Sequence, residues 1–182
     1  MDHSSVIVFT GAGKGKTEAA LGLLLRALGA DFKVALIQFI KAWPVSEDKT
    51  LAKIQQLYPD RMHMHKVGKG FYRLKNPPKT GVTTAEHKQA AAASYAYALE
   101  TATSGDYDLV VTDEINNAVH DGLLTKTQLK SLIKSRHPRT HLCLTGSNFP
   151  SDLLSLVDYA TDMTKLKHPY DQGVLAIPGL DY

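Results

Sequence analysis

The chain of 182 residues contains a single cysteine, Cys143, which excludes a disulfide framework and any cysteine-built zinc or iron–sulfur site. No apolar run approaches the ~20 residues of a membrane span. Met1-Asp2-His3-Ser4-Ser5 lacks the basic-then-apolar pattern of a secretory leader, so the expectation is a cytoplasmic protein with no membrane partner. Strong charge is missing as well. The 21 Lys and Arg against 18 Asp and Glu leave a net charge of +3, too mild to argue for a nucleic-acid partner. A long basic face with interleaved aromatics, as in a helicase or recombinase, is absent. There is no internal repeat, low-complexity tract or linker, which points to one domain over residues 1–182. Nor does any nucleophile–base pair stand out.

What the chain does have is concentrated in residues 5–18. The apolar run Val6-Ile7-Val8-Phe9 is the length of a buried strand, and a strong helix starts at Thr17. Between them Gly11, Gly13 and Gly15 alternate with Ala12, Lys14 and Lys16. A strand, a glycine-rich turn and a helix N-terminus make an anion site, because glycines let backbone N–H groups converge on phosphate oxygens. Residues Gly11, Ala12, Gly13, Lys14, Gly15, Lys16 and Thr17 would cradle a nucleotide triphosphate. Lys16 would reach its terminal phosphates, and the Thr17 hydroxyl would hold Mg²⁺. The Walker A pattern asks for glycine where this chain has Thr10.

Strands and helices then alternate. A helix over 17–30, apolar nearly all round, suits packing against a sheet. Residues 33–40 read as a central parallel strand, 47–58 as an amphipathic helix and 61–67 as an alternating strand. The segment 68–82 carries Gly68, Gly70, Pro77, Pro78 and Gly81 around Phe71 and Tyr72, an irregular loop at a strand end where open parallel sheets bind ligands. A long helix over 83–104 has Thr83 or Thr84 as N-cap and Gly105 as its stop. Strands follow at 107–112 and 140–145, with a helix at 125–135 between them. A helix is expected over 150–159, a return to the sheet over 158–163 and a short edge segment at 173–177. The pattern predicts an α/β protein, a three-layer P-loop NTPase (RecA-like) fold whose mostly parallel central sheet has five to six strands.

Two stretches reinforce the phosphate loop. Leu109-Val110-Val111-Thr112-Asp113-Glu114 is a hydrophobic strand delivering two acids at its carboxyl end, the Walker B arrangement that orients Mg²⁺. Thr17, Asp113 and Glu114 are therefore the candidate metal ligands. The run 142–148 brings Thr145, Gly146, Ser147 and Asn148 to the same edge. His63 and His65 share one strand face, but without a third ligand nearby they read as rim or core residues. Walker motifs alone do not name a reaction.

The whole chain resembles the P-loop ATP:corrinoid adenosyltransferase family. The matching segments are 10–17, 34–41, Gly70-Phe71, 110–116, 140–146 with Asn148, and 152–154. The tail is the most specific, with 158–163, Lys167-His168-Pro169-Tyr170, Gly173 and Gly179-Leu180-Asp181-Tyr182. The resemblance implies that a corrinoid reduced to Co(I) attacks the 5′ carbon of ATP and releases triphosphate. ATP is then co-substrate, the corrinoid is substrate and Mg²⁺ or Mn²⁺ is the cofactor. It implies Lys16, Thr17, Glu114 and Phe71 as catalytic residues, Phe71 pressing on the corrinoid near its lower axial position. An external reductant such as a reduced flavoprotein and a homodimer are implied with them. The chain departs from the family pattern at Tyr72-Arg73, where Thr-Trp is usual, at Ser147, where arginine is usual, at Glu18, and after Lys41. It also begins at the first strand, without the extension that helps cover the corrinoid in longer relatives. A non-catalytic nucleotide-binding relative and an ordinary ATPase stay open as alternatives.

Overall fold

The computed structural model describes residues 4–70, 72 and 81–181, so the expectations placed on Phe71, Arg73, Pro77, Pro78 and Tyr182 fall outside the described residues. Among the described residues six strands form one sheet, β1 (Val6–Thr10), β2 (Val34–Gln38), β3 (Met62–Lys66), β4 (Leu109–Asp113), β5 (His141–Thr145) and β6 (Tyr159–Asp162). All pairings are parallel, in the order β3-β2-β4-β5-β1-β6. Five α-helices among the described residues accompany them, α1 (Lys16–Gly29), α2 (Ser46–Leu57), α3 (Thr84–Ser104), α4 (Ile115–His120) and α5 (Lys126–Ser135).

The period-2 alternation of the strands decides which helices lie on which face. On β2, Val34 and Leu36 pack with Ala20, Leu24 and Leu28 of α1 and Leu51 of α2. Ala35 and Ile37 turn the other way, to Ala98 and Ala102 of α3, Ala118 of α4 and Leu129 and Leu132 of α5. The result is the three-layer α/β sandwich the alternating pattern predicts, with every residue of β2 and β4 buried. The longest helix, α3, begins with a capping box in which Thr83 and Glu86 exchange side-chain and backbone bonds, and it ends on Gly105 at φ 77°.

Three expectations change. Residues 150–159 form only a 3₁₀ turn over Ser151–Leu156, because the chain must drop at once into β6, where the Asp158 N–H donates to the Val6 carbonyl (3.0 Å). Residues 173–177 are not a strand; a 3₁₀ turn over Pro169–Gln172 precedes them and the tail runs on irregularly. Helix α4 has no counterpart in the sequence reading, since six residues are too few for a 3.6-residue period to show. His63 and His65 do share a face, which turns toward α3. The first bonds the Tyr107 hydroxyl, and the second stacks on Tyr97 with centroids 4.2 Å apart. Burial lowers the His65 pKa, and among the described residues no cluster of three metal-ligating side chains forms. No described helix is long and apolar enough to cross a membrane.

Candidate active site

The glycine-rich loop closes between the carboxyl end of β1 and the first turn of α1. Gly11 (φ 101°) and Gly15 (φ 109°) take left-handed conformations, and Gly15 is the N-cap of α1 with no side-chain cap, which leaves its first amides for a ligand. The loop is tied to the segment after β6. Met163 N–H donates to the Thr10 carbonyl (2.8 Å), and Gly13 N–H donates to the Met163 carbonyl (2.6 Å). A Cβ on Gly13 would lie 2.5 Å from that carbonyl oxygen, so glycine is required there for close approach. Lys16 folds back over the loop, its ammonium donating to the carbonyls of Gly11 (2.9 Å) and Gly13 (2.7 Å). Partial burial pulls its pKa down against the charges of Glu114, Asp113 and Asp162.

Opposite the loop, β4 delivers Asp113, which is 1% exposed. Its Oδ1 accepts from the hydroxyls of Thr17 (2.9 Å) and Thr145 (2.7 Å). Its Oδ2 faces the Lys41 ammonium (3.0 Å) and the Gln38 amide (3.4 Å). The Thr17 contact joins the loop to the acid across 96 residues of sequence. Glu114 follows in a left-handed conformation (φ 66°) as the N-cap of α4, with its N–H on the Thr145 hydroxyl (2.9 Å) and its carboxylate on the Asn117 amide. Burial and the charge of Asp113 push Glu114 up to about 7, with Lys41, Lys16 and Asn117 resisting. For Lys41, burial opposes the charged form, but the charge and hydrogen bond of Asp113, with Glu47 and Glu114 behind them, hold its pKa above the ordinary value.

The structure thus brings Lys16, Thr17 and Asp113 together, with Glu114 beside them. Lys14 does not join them, since it pairs with Glu18 on the exposed side of the loop. Ser147, at the position where arginine is usual, donates its hydroxyl to the Gly11 carbonyl (3.1 Å), and its N–H rests on Asn117 Oδ1 (2.7 Å). Sequence reasoning missed Lys41, Gln38 and the Met163 tie. Lys41 lies at the end of an apolar strand with nothing local to show that it turns inward, and Met163 is far along the chain from the loop it holds. The run 142–148 did signal Thr145, but only its place between β1 and β4 gives it two partners.

The donor set suits a hard divalent cation. A hydroxyl and two carboxylates are oxygen ligands, and Mg²⁺ is ordinarily bound by one or two carboxylates together with phosphate and water instead of an all-protein cage. The Lys41 ammonium on Asp113 shows that positive charge is accommodated at this carboxylate.

Residues 2–182 match the profile of the family described as ATP:corrinoid adenosyltransferase BtuR/CobO/CobP. The chain is similar to the corrinoid adenosyltransferase of Escherichia coli K12, at 33% identity over all of this chain and 87% of that protein. To that of Pseudomonas aeruginosa it is 28% identical, over all of this chain and 85% of the relative. With a Sinorhizobium corrinoid adenosyltransferase it shares 30% identity over 97% of this chain and 79% of that one. In three dimensions it resembles a KaiC-like protein of Pyrococcus horikoshii OT3, with TM-score 0.53, 12% identity and coverage of 87% of this chain and 72% of the other, a likeness of fold.

Proposed function

This chain belongs to the ATP:corrinoid adenosyltransferase family, and from that premise we propose how its residues carry adenosyl from ATP to a corrinoid. In the reaction the cobalt electron pair of Co(I) forms a bond to C5′ of ATP as the C5′–O bond breaks. The displaced pair leaves on the triphosphate and cobalt becomes formally Co(III). The nucleophile belongs to the substrate, so the protein needs no activated serine, cysteine or lysine. Its task is to position C5′ and to stabilise the departing charge.

Lys16 and the amides of Gly11 to Thr17 take the triphosphate in this scheme. The contacts of Lys16 with the Gly11 and Gly13 carbonyls keep its ammonium at the loop. Mg²⁺ or Mn²⁺, when bound, adds positive charge to the leaving group, and Thr17, Asp113 and Glu114 would hold it. We assign Phe71 to the corrinoid on the family resemblance. Gly70, just before it, is anchored by its N–H on the Ile40 carbonyl (2.7 Å) at the same edge of the sheet. An external reductant such as a reduced flavoprotein, a homodimer, a cytoplasmic location and one catalytic domain over 1–182 complete the proposal. The last is supported by a profile match from 2 to 182.

The observation that carries the site assignment is the 2.9 Å bond from Thr17 to Asp113, which joins loop and acid in the geometry that metal-assisted triphosphate binding needs. The test is product identity. With ATP, Mg²⁺ and chemically reduced cobalamin, the protein should yield the adenosylcobalamin absorbance change and one triphosphate per cobalt–carbon bond, and Lys16→Ala should lose both. ADP and phosphate in their place would refute the scheme.

A further inference from the structure

Lys41 has no role in that scheme, yet the fold goes to some length to place it. Its side chain is 15% exposed, which costs an ammonium its hydration. The residue before it, Ile40, sits at φ 64°, a conformation that β-branched side chains rarely adopt and that recurs at functional sites. Four contacts lock this turn. The Lys41 N–H donates to the Phe39 carbonyl (2.6 Å), the Phe39 N–H to the Asp113 carbonyl (2.9 Å), and the Gly70 N–H to the Ile40 carbonyl (2.7 Å). The fourth is Gly68, where a Cβ would lie 2.5 Å from the Lys41 carbonyl oxygen. The outcome is an ammonium 3.0 Å from Asp113 Oδ2 and 3.3 Å from Glu47, on the side of the Asp113 carboxylate away from Thr17.

An ammonium and a divalent cation compete for one carboxylate and repel each other. Both stay in the site only if an anion lies between them. We propose that Lys41 is a triphosphate-binding residue, held in reserve on Asp113 and turned onto phosphate oxygens when triphosphate is seated, which leaves Asp113 to the metal. This rests on the nucleotide reading of the same site and adds to it a third cation for the leaving group, beside Lys16 and the metal. A lysine that only balanced the charge of Asp113 would gain nothing from triphosphate, which is what separates the two roles.

The test uses the full chain without corrinoid. Tripolyphosphate affinity is measured by calorimetry in the absence of metal, and Mn²⁺ affinity by paramagnetic resonance in the absence of nucleotide, for wild type, Lys41→Met and Lys41→Arg. Circular dichroism checks the fold of each. Lys41→Met should bind tripolyphosphate ~10- to 100-fold more weakly, the worth of a charge-assisted contact, and Mn²⁺ more tightly, while Lys41→Arg keeps most of the tripolyphosphate affinity. Should Lys41→Met fold poorly, Asp113→Asn and Asp113→Asn/Lys41→Met serve. Freeing Lys41 should make the single variant bind tripolyphosphate better than wild type, and the second substitution should erase that gain. Unchanged tripolyphosphate affinity in Lys41→Met, or a gain that persists in the double variant, overturns the proposal. If wild type binds neither tripolyphosphate nor Mn²⁺, the nucleotide reading itself falls and takes the proposal with it.

Discussion

Glu114→Gln should stabilise the ligand-free protein, and only above a definite pH. The Glu114 carboxyl titrates at about 7 in the fold against an ordinary 4.5, because burial and the Asp113 charge both disfavour its ionised form. Below 4.5 the group is neutral in the folded and unfolded chains and contributes no difference. Between 4.5 and about 7 the unfolded chain ionises while the folded one does not, so the fold holds more protons and loses stability as pH rises. Above about 7 the penalty is complete. At about 1.4 kcal/mol per pH unit the displacement corresponds to a ceiling of about 3 kcal/mol. Glutamine is neutral at every pH and still offers an oxygen to the Asn117 amide that Glu114 now accepts from. Urea midpoints of the two proteins should therefore nearly coincide at pH 4.5, separate through pH 5 to 7 and stay apart at pH 8 with the variant ahead. A difference independent of pH, or a variant less stable at pH 8, would refute the reasoning. On the proposed assignment of Glu114 to the metal, the expected stabilisation is a cost the wild type carries for function.

Other outcomes follow from the same contacts. Asp113→Asn leaves the Lys41 ammonium beside a neutral amide and should cost about 3–5 kcal/mol in urea unfolding, with part recovered in the Lys41→Met double variant, because breaking a buried pair is worse than removing it. In the exposed interior of α1, Gly22 has nothing within 4 Å of an added Cβ, so Gly22→Ala should stabilise by about 0.5–1 kcal/mol. Gly13→Ala, which meets the Met163 carbonyl, should lower both the melting temperature and ATP affinity. Cys143 is 0% exposed and its thiol pKa is pushed far up by burial and by Asp113, so a disulfide reagent should label it only at the rate of unfolding.

The legible parts of the fold are those with a local cause. Strands β2 and β4 show as apolar runs because they are buried on both faces. Helix α3 shows through its Thr83 cap and its Gly105 stop, and the glycine-rich loop through glycines that no helix or strand would tolerate so densely. The illegible parts depend on partners distant in sequence. A helix of six residues has no period to read, and the turn at 151–156 is shortened by what β6 pairs with. Lys14 and Lys16 look equivalent in the loop, yet one pairs outward with Glu18 and the other inward with the loop carbonyls.

By itself the sequence determined the class of fold, the glycine-rich loop and the two acids, which rest on residue types at short spacing, and the family, which rests on segments along the whole chain. Only tertiary structure decided the strand order. With β5 lying between β1 and β4, Thr145 bridges to Asp113 and Ser147 reaches Gly11. It also decided that Met163 ties down the loop and that a left-handed Ile40 turns Lys41 onto Asp113. The physical reason is that hydrogen bonds and ion pairs act over about 3 Å in space whatever the separation along the chain. Local patterns specify the elements, while the pairing of sheet strands specifies which side chains meet at their ends.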